Sequence, residues 1–216
     1  MSTTEPRGLF ITFEGSDGCG KSTQMQYLAR RLRESGREVV ETAEPGGTRI
    51  GNQIRAILLD SRNQELYPTA EMLLYFASRA QNMDELVFPA LARNAIVLSD
   101  RFTDSTLAYQ GAGRGLGRDV VMQLHAIAVR GRDPDLTICI DIDLETSLKR
   151  AHARNKTVTE KDERRMDEQA QEFHERVRQE YRELSRLEPE RIRMIDGRAE
   201  REVVADRIWE VVRSYV

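Results

Sequence analysis

The sequence predicts an α/β fold: one domain built on a parallel, doubly wound sheet with helices on both faces. Three observations carry this. Five short apolar runs alternate with longer stretches of helical periodicity. The first run leads through a glycine-rich turn straight into a helix. No internal repeat, low-complexity segment or linker divides the 216 residues, an ordinary length for one domain.

The first run, Leu9 to Phe13, reads as a buried strand. Gly15-Ser16-Asp17-Gly18-Cys19-Gly20-Lys21-Ser22 follows and fits G-x-x-x-x-G-K-[ST] in full. Met25, Leu28, Ala29 and Leu32 then recur at helical spacing. Each residue type in this turn has a physical task. Glycines let backbone N–H groups surround a polyphosphate, and the start of the next helix favours negative charge. Lys21 is placed to reach the outer phosphates, and the Ser22 hydroxyl to hold a Mg²⁺. A chance glycine turn is the bland alternative, but the strand before it and the helix after it argue for a nucleoside triphosphate site.

Ser35-Gly36 ends the first helix, and Glu38 to Thr42 reads as the second strand. Glu44-Pro45-Gly46-Gly47-Thr48 marks a loop at its end, the edge where open α/β sheets carry ligands. Residues 49–59 are expected to be helical, with Ile50, Ile54, Ile57 and Leu58 on one side and Arg55 off that stripe. A long helix is expected from Thr69 to about Leu86, stopped by Phe88-Pro89. It places Tyr75 and Arg79 four apart on one face. Ala95 to Leu98 reads as a third strand buried on both faces, closed by Asp100, a position from which a carboxylate can serve a Mg²⁺ shell. Arg101 beside it has a fork suited to phosphate.

Thr103 to Gly117 carries hydroxyls, an aromatic, an amide and four glycines, and reads as a loop walling a pocket. Residues 119–130 suit a helix, and Leu136 to Ile142 a fourth strand. Leu144 to Ala153 suits a helix ending in Lys149, Arg150, Arg154 and Lys156. Asn155 to Glu163 nearly lacks apolar residues and is expected to be an exposed loop. A charged helix over 168–187 would turn Phe173, Val177, Tyr181, Leu184 and Leu187 inward. Ile192 to Ile195 is the fifth strand, and Val203 to Val212 the last helix.

Composition narrows the functional classes. A formal net charge of −3 gives no global basic field for nucleic acid. No run approaches the ~20 apolar residues of a membrane helix, and no signal-peptide pattern opens the chain. Two cysteines, Cys19 and Cys139, make no disulfide scaffold, so a cytoplasmic location is expected.

Several motifs together resemble bacterial thymidylate kinases. They are Phe13 to Thr23, Glu44-Pro-Gly-Gly-Thr48, Tyr75-Phe-Ala-Ser-Arg79, Asp100-Arg101 with Leu107-Ala-Tyr-Gln-Gly111, and Pro134-Asp-Leu-Thr137. The resemblance spans most of the chain and implies transfer of the ATP γ-phosphate to dTMP, giving dTDP, with Mg²⁺. It implies strand order 2-3-1-4-5, a homodimer, and a mobile lid at approximately 150–167. Carried over by position, Gly15 to Thr23 and Arg154 would bind ATP. Asp17, where many bacterial members carry Glu, would meet the sugar 3′-hydroxyl. Arg55 and Arg101 would grip the acceptor phosphate. Tyr75, usually Phe in the family, and Arg79 would hold the thymine. Thr106 and Gln110 would hydrogen-bond the base, Tyr109 would crowd the 2′ position, and Glu44 would sit near the sugar or the Mg²⁺ shell. Ser22 and Asp100 would serve the metal. The phosphate loop has no arginine, so the catalytic cation is expected from the lid, at Arg165 first and Arg154 next.

Other readings are weaker. A kinase for a different nucleotide shares the loop but not Tyr109 and Gln110. A GTP-dependent switch needs Asn-Lys-x-Asp, and Asn155-Lys-Thr-Val158 lacks the final Asp. A nucleic-acid motor ATPase would end an apolar strand in Asp-Glu, and none does.

Overall fold

The computed structural model describes residues 8–157, 165–166 and 168–216. Its centre is a five-stranded, all-parallel sheet in the order β2-β3-β1-β4-β5, as expected. The strands are β1 (Leu9–Glu14), β2 (Val39–Ala43), β3 (Ile96–Asp100), β4 (Leu136–Asp141) and β5 (Ile192–Asp196). Strand alternation divides the core. Leu9, Ile11 and Phe13 face one side, while Phe10 faces the other with Val97 and Cys139. On the first side lie α1 (Lys21–Glu34) and α9 (Arg201–Val212), through Met25, Leu28, Leu32, Val204, Ile208 and Val212. The second side packs against α3 (Pro68–Asn82), α6 (Arg118–Val129) and α8 (Gln171–Leu187). Helices α2 (Arg49–Leu59) and α7 (Leu144–Thr157) complete the coat.

Several boundaries differ from expectation. Phe88-Pro89 does not stop the long helix. A π-helical turn, Met83–Val87, follows α3, and α4 (Phe88–Ala92) begins immediately after it. Proline's missing N–H is harmless in a helix's first turn, and the wide turn resets the register so that Pro89 falls there. The segment read as a pocket loop is helical: α5 (Thr103–Thr106) runs into a second π-helix, Leu107–Gly113. Two residues expected inside are half exposed, Ile57 at 48% and Leu187 at 50%. Leu187 is the last residue of α8. Helix α7 continues to Thr157, past the expected stop at Ala153. Residues 158–164 and 167 of the expected lid lie outside the described residues.

Candidate active site

In this strand order, β1 is central, and its carboxyl end meets those of β3 and β4. That is the switch point where open α/β sheets bind ligands. A cleft of about 1210 Å³ opens there. The phosphate loop forms its floor, joining β1 to α1. Gly15, Gly18 and Gly20 all have positive φ (128°, 76° and 102°). A Cβ on Gly15 would lie 2.3 Å from the Ile140 carbonyl oxygen, so only glycine fits beside β4. Lys21 Nζ donates to the Gly15 and Ser16 carbonyls at 2.9 and 2.8 Å and is nearly buried. Ser22 hydroxyl donates to Asp100 at the end of β3, bringing two hard oxygens together at the head of α1. Cys19, though buried, lines the cleft together with Thr23.

Arg101 dominates the middle of the cleft. Its φ is +74°, a conformation that costs a non-glycine residue free energy and that clusters at functional sites. Nη2 donates to Asp17 at 2.8 Å and to the Tyr109 hydroxyl at 3.1 Å. Nη1 donates to Ser105 and Tyr181 hydroxyls at 2.9 and 3.2 Å. Tyr109 in turn donates to Asp17 at 2.8 Å. Beneath them Glu14, fully buried, accepts from Phe102 N–H and from the Ser105 and Tyr181 hydroxyls. Burial, with the Asp104 charge nearby, pushes Glu14 up from 4.5 to about 7.

The far end of the cleft is held by α3 and the second π-helix. Arg79, 1% exposed, donates Nε to Glu44 at 2.6 Å and Nη2 to the Thr106 hydroxyl at 3.1 Å. Glu44 is therefore engaged in orienting Arg79, and Asn82 donates to its other oxygen. Tyr75 lines the cleft on the same helical face, its phenol pushed up to about 12 by burial and the nearby Glu71 charge. Gln110 lines it too, donating to Glu71 at 2.8 Å. Arg55 donates to the Pro45 carbonyl at 2.9 Å and faces the cleft from α2. At the opposite end the turn Gly197–Arg201 and Arg150 complete the wall.

One expected residue is not brought to this cleft. Arg165 is 1% exposed, donating to Glu71 at 2.6 Å and to the Leu58 carbonyl. The reason is electrostatic: Glu71 is fully buried, and a buried carboxylate needs charged and hydrogen-bonding partners. The Arg154 side chain lies outside the described residues. Sequence reading also passed over Glu14, Glu71 and Tyr181. The signal for Glu71 was available, because it stands four residues before Tyr75 and eight before Arg79, on one helix face.

A phosphate loop on the central strand of this sheet, opening on a second pocket that ends in a buried arginine, defines a P-loop nucleotide kinase. The comparisons narrow that class. The family model described as thymidylate kinase matches residues 13–208. A thymidylate kinase of Geobacter sulfurreducens is 48% identical over 209 residues, covering 97% of this chain and 98% of its own. One of Geotalea uraniireducens is 50% identical, covering 88% and 89%. The crystal structure of thymidylate kinase from Ehrlichia chaffeensis superimposes with a TM-score of 0.78 at 32% identity, covering 96% of this chain and 100% of that one. The chain belongs to the thymidylate kinase family.

Proposed function

We propose that the chain transfers the γ-phosphoryl group of ATP to dTMP, giving dTDP, with these residues in named roles. The observation that carries the reading is Arg101. It bridges Asp17 of the phosphate loop and Tyr109 of the second pocket, so one guanidinium stands between a donor end and an acceptor end.

Phosphoryl transfer asks the protein for alignment and charge stabilisation more than for covalent chemistry. The backbone N–H groups of Gly15 to Thr23 hold the donor phosphates, and Lys21 leaves its carbonyl contacts to meet them. Arg101 and Arg55 grip the acceptor phosphate. Asp17 meets the sugar 3′-hydroxyl, and Tyr109 leaves no room for a 2′-hydroxyl. Tyr75 stacks on the base, which Arg79, Thr106 and Gln110 read at its edge. The Ser22 hydroxyl and Asp100 carboxylate suit Mg²⁺, which favours oxygen ligands and keeps several waters. Among the described residues no cluster of three His, Cys, Asp or Glu offers a richer site. When bound, Mg²⁺ neutralises charge on the phosphate oxygens.

Among the described residues, Arg150 is the lid cation whose side chain lines the cleft, at its exposed donor end. We assign it the cation's place over the donor phosphates, with Arg154 four residues on in sequence. Arg165 supports the acceptor pocket through Glu71. A cytoplasmic location accords with the absence, among the described residues, of any helix long and apolar enough to cross a membrane. A homodimer accords with apolar side chains left bare on adjacent helices: Leu73 on α3, and Val120 and Ile127 on α6.

A coupled ADP-release assay across nucleoside monophosphates tests the reaction. Strong turnover with dTMP and weaker turnover with deoxyuridine monophosphate is expected. Preference for another monophosphate would overturn the base-reading roles of Tyr75, Arg79 and Gln110.

A further inference from the structure

Glu71 does more than neutralise arginines. It is fully buried in the first turn of α3 and accepts from three side chains. Gln110 Nε2 donates to one oxygen at 2.8 Å. Arg114 donates to both oxygens, at 3.2 and 3.0 Å, and Arg165 donates to the second at 2.6 Å. Burial alone would raise this carboxyl. The hydrogen bonds from Arg114 and Gln110, with the Arg165 and Arg114 charges, overcome that and hold it below its ordinary value.

An ionised carboxylate only accepts hydrogen bonds. Gln110 must therefore turn its NH₂ group toward Glu71, which leaves its carbonyl oxygen for the cleft that it lines. A second group sets the opposite polarity nearby. Arg79 has two of its donors engaged by Glu44 and Thr106, while Nη1 is buried with no partner among the described residues. Thr106 lies one turn before Gln110, so this free donor and the free acceptor belong to one end of the pocket. Together they complement an edge bearing a carbonyl oxygen next to a ring N–H. That is the edge of a 4-keto pyrimidine. A 4-amino pyrimidine presents a donor and a bare ring nitrogen instead, and both contacts become like against like.

We propose that Glu71 is a specificity-determining positioning residue: by fixing the direction of the Gln110 amide, it makes the pocket accept 4-keto and reject 4-amino pyrimidine monophosphates. This rests on the reading of Tyr75, Arg79 and Gln110 as the base pocket.

The test is the ratio of kcat/KM for dTMP to that for dCMP, in the wild type, Glu71→Gln and Glu71→Asp. A neutral amide at 71 can donate as well as accept, which frees Gln110 to turn over, and the ratio is expected to fall ~10-fold or more. A purely structural role for Glu71 would lower both substrates by a common factor, and a ratio within about twofold of wild type would overturn the proposal. Should Glu71→Gln fail to fold, Glu71→Asp decides. It keeps the charge that Arg114 and Arg165 need but withdraws from Gln110, and the same fall in ratio is expected. Arg165→Gln leaves the contact between Glu71 and Gln110 in place and should keep the wild-type ratio. A wild type that shows no preference for dTMP would defeat the underlying pocket reading instead.

Discussion

Glu14 ends β1 wholly buried, beneath Arg101 and accepting from two hydroxyls. Its folded pKa, about 7, lies above the unfolded 4.5. Between those values the folded protein holds a proton that the unfolded chain has released. The contribution to stability is thus complete below about pH 4.5 and is lost as pH rises through about 7, over a range of a few kcal/mol. Glu14→Gln mimics the protonated form and should flatten this dependence. Urea unfolding near pH 5 and near pH 8 checks it. Equal slopes in wild type and variant would show that the carboxylate stays charged throughout. At this scale the sequence is legible only where chemistry is local. Gly15 to Ser22 could be read because eight adjacent residues define the loop. Glu14 meets Tyr181 across 167 positions, and Glu71 meets Arg165 across 94, and no spacing rule links such pairs. Tyr181 was legible as core, which it is, yet its hydroxyl works in the site.

The element most unlike its sequence signature is the π-helix Leu107–Gly113. Its glycines read as loop, since glycine weakens helices. Gly113 has a packing reason instead: a Cβ there would lie 2.5 Å from the Phe173 ring. That ring cannot easily yield. It is 4% exposed, edge-on to Tyr109, and covered by the Arg114 guanidinium. Gly113→Ala should therefore destabilise the protein by ~1–3 kcal/mol, through overpacking between the π-helix and α8. It should also raise KM for dTMP, because Tyr109 and Gln110 ride on the displaced segment. Thermal unfolding and steady-state kinetics would show both, and an unchanged Tm would mean that α8 can shift freely. The regular helices were legible in type but not always in extent. Periodicity records which face is buried, whereas the π turn that carries the chain through Pro89 depends on what packs around it.

The three inner strands were readable because they are buried on both faces and so appear as largely apolar runs, whereas the edge strands β2 and β5 are only partly buried and carry Glu41 and Arg193. The order of the sheet came from family resemblance, and the register confirms it. The proposed homodimer leaves a fainter trace, in apolar side chains that this chain leaves bare. Ile127 is 75% exposed and Leu73 is 50% exposed on neighbouring helices. Sedimentation at micromolar concentration is expected to give a dimer, and Ile127→Glu a monomer. If the wild type is itself monomeric, that apolar face is simply surface.

Asp17 belongs to the phosphate loop, yet both of its side-chain oxygens receive donors from outside it, Arg101 and Tyr109, both proposed to serve the acceptor. Its carbonyl accepts from Ser147 of α7 as well. Whatever fills one half of the cleft therefore acts on a residue that the other half also uses. Such sharing is a free-energy coupling, and coupling between two binding events is symmetric. By whatever factor ATP alters the affinity for dTMP, dTMP must alter the affinity for ATP by the same factor.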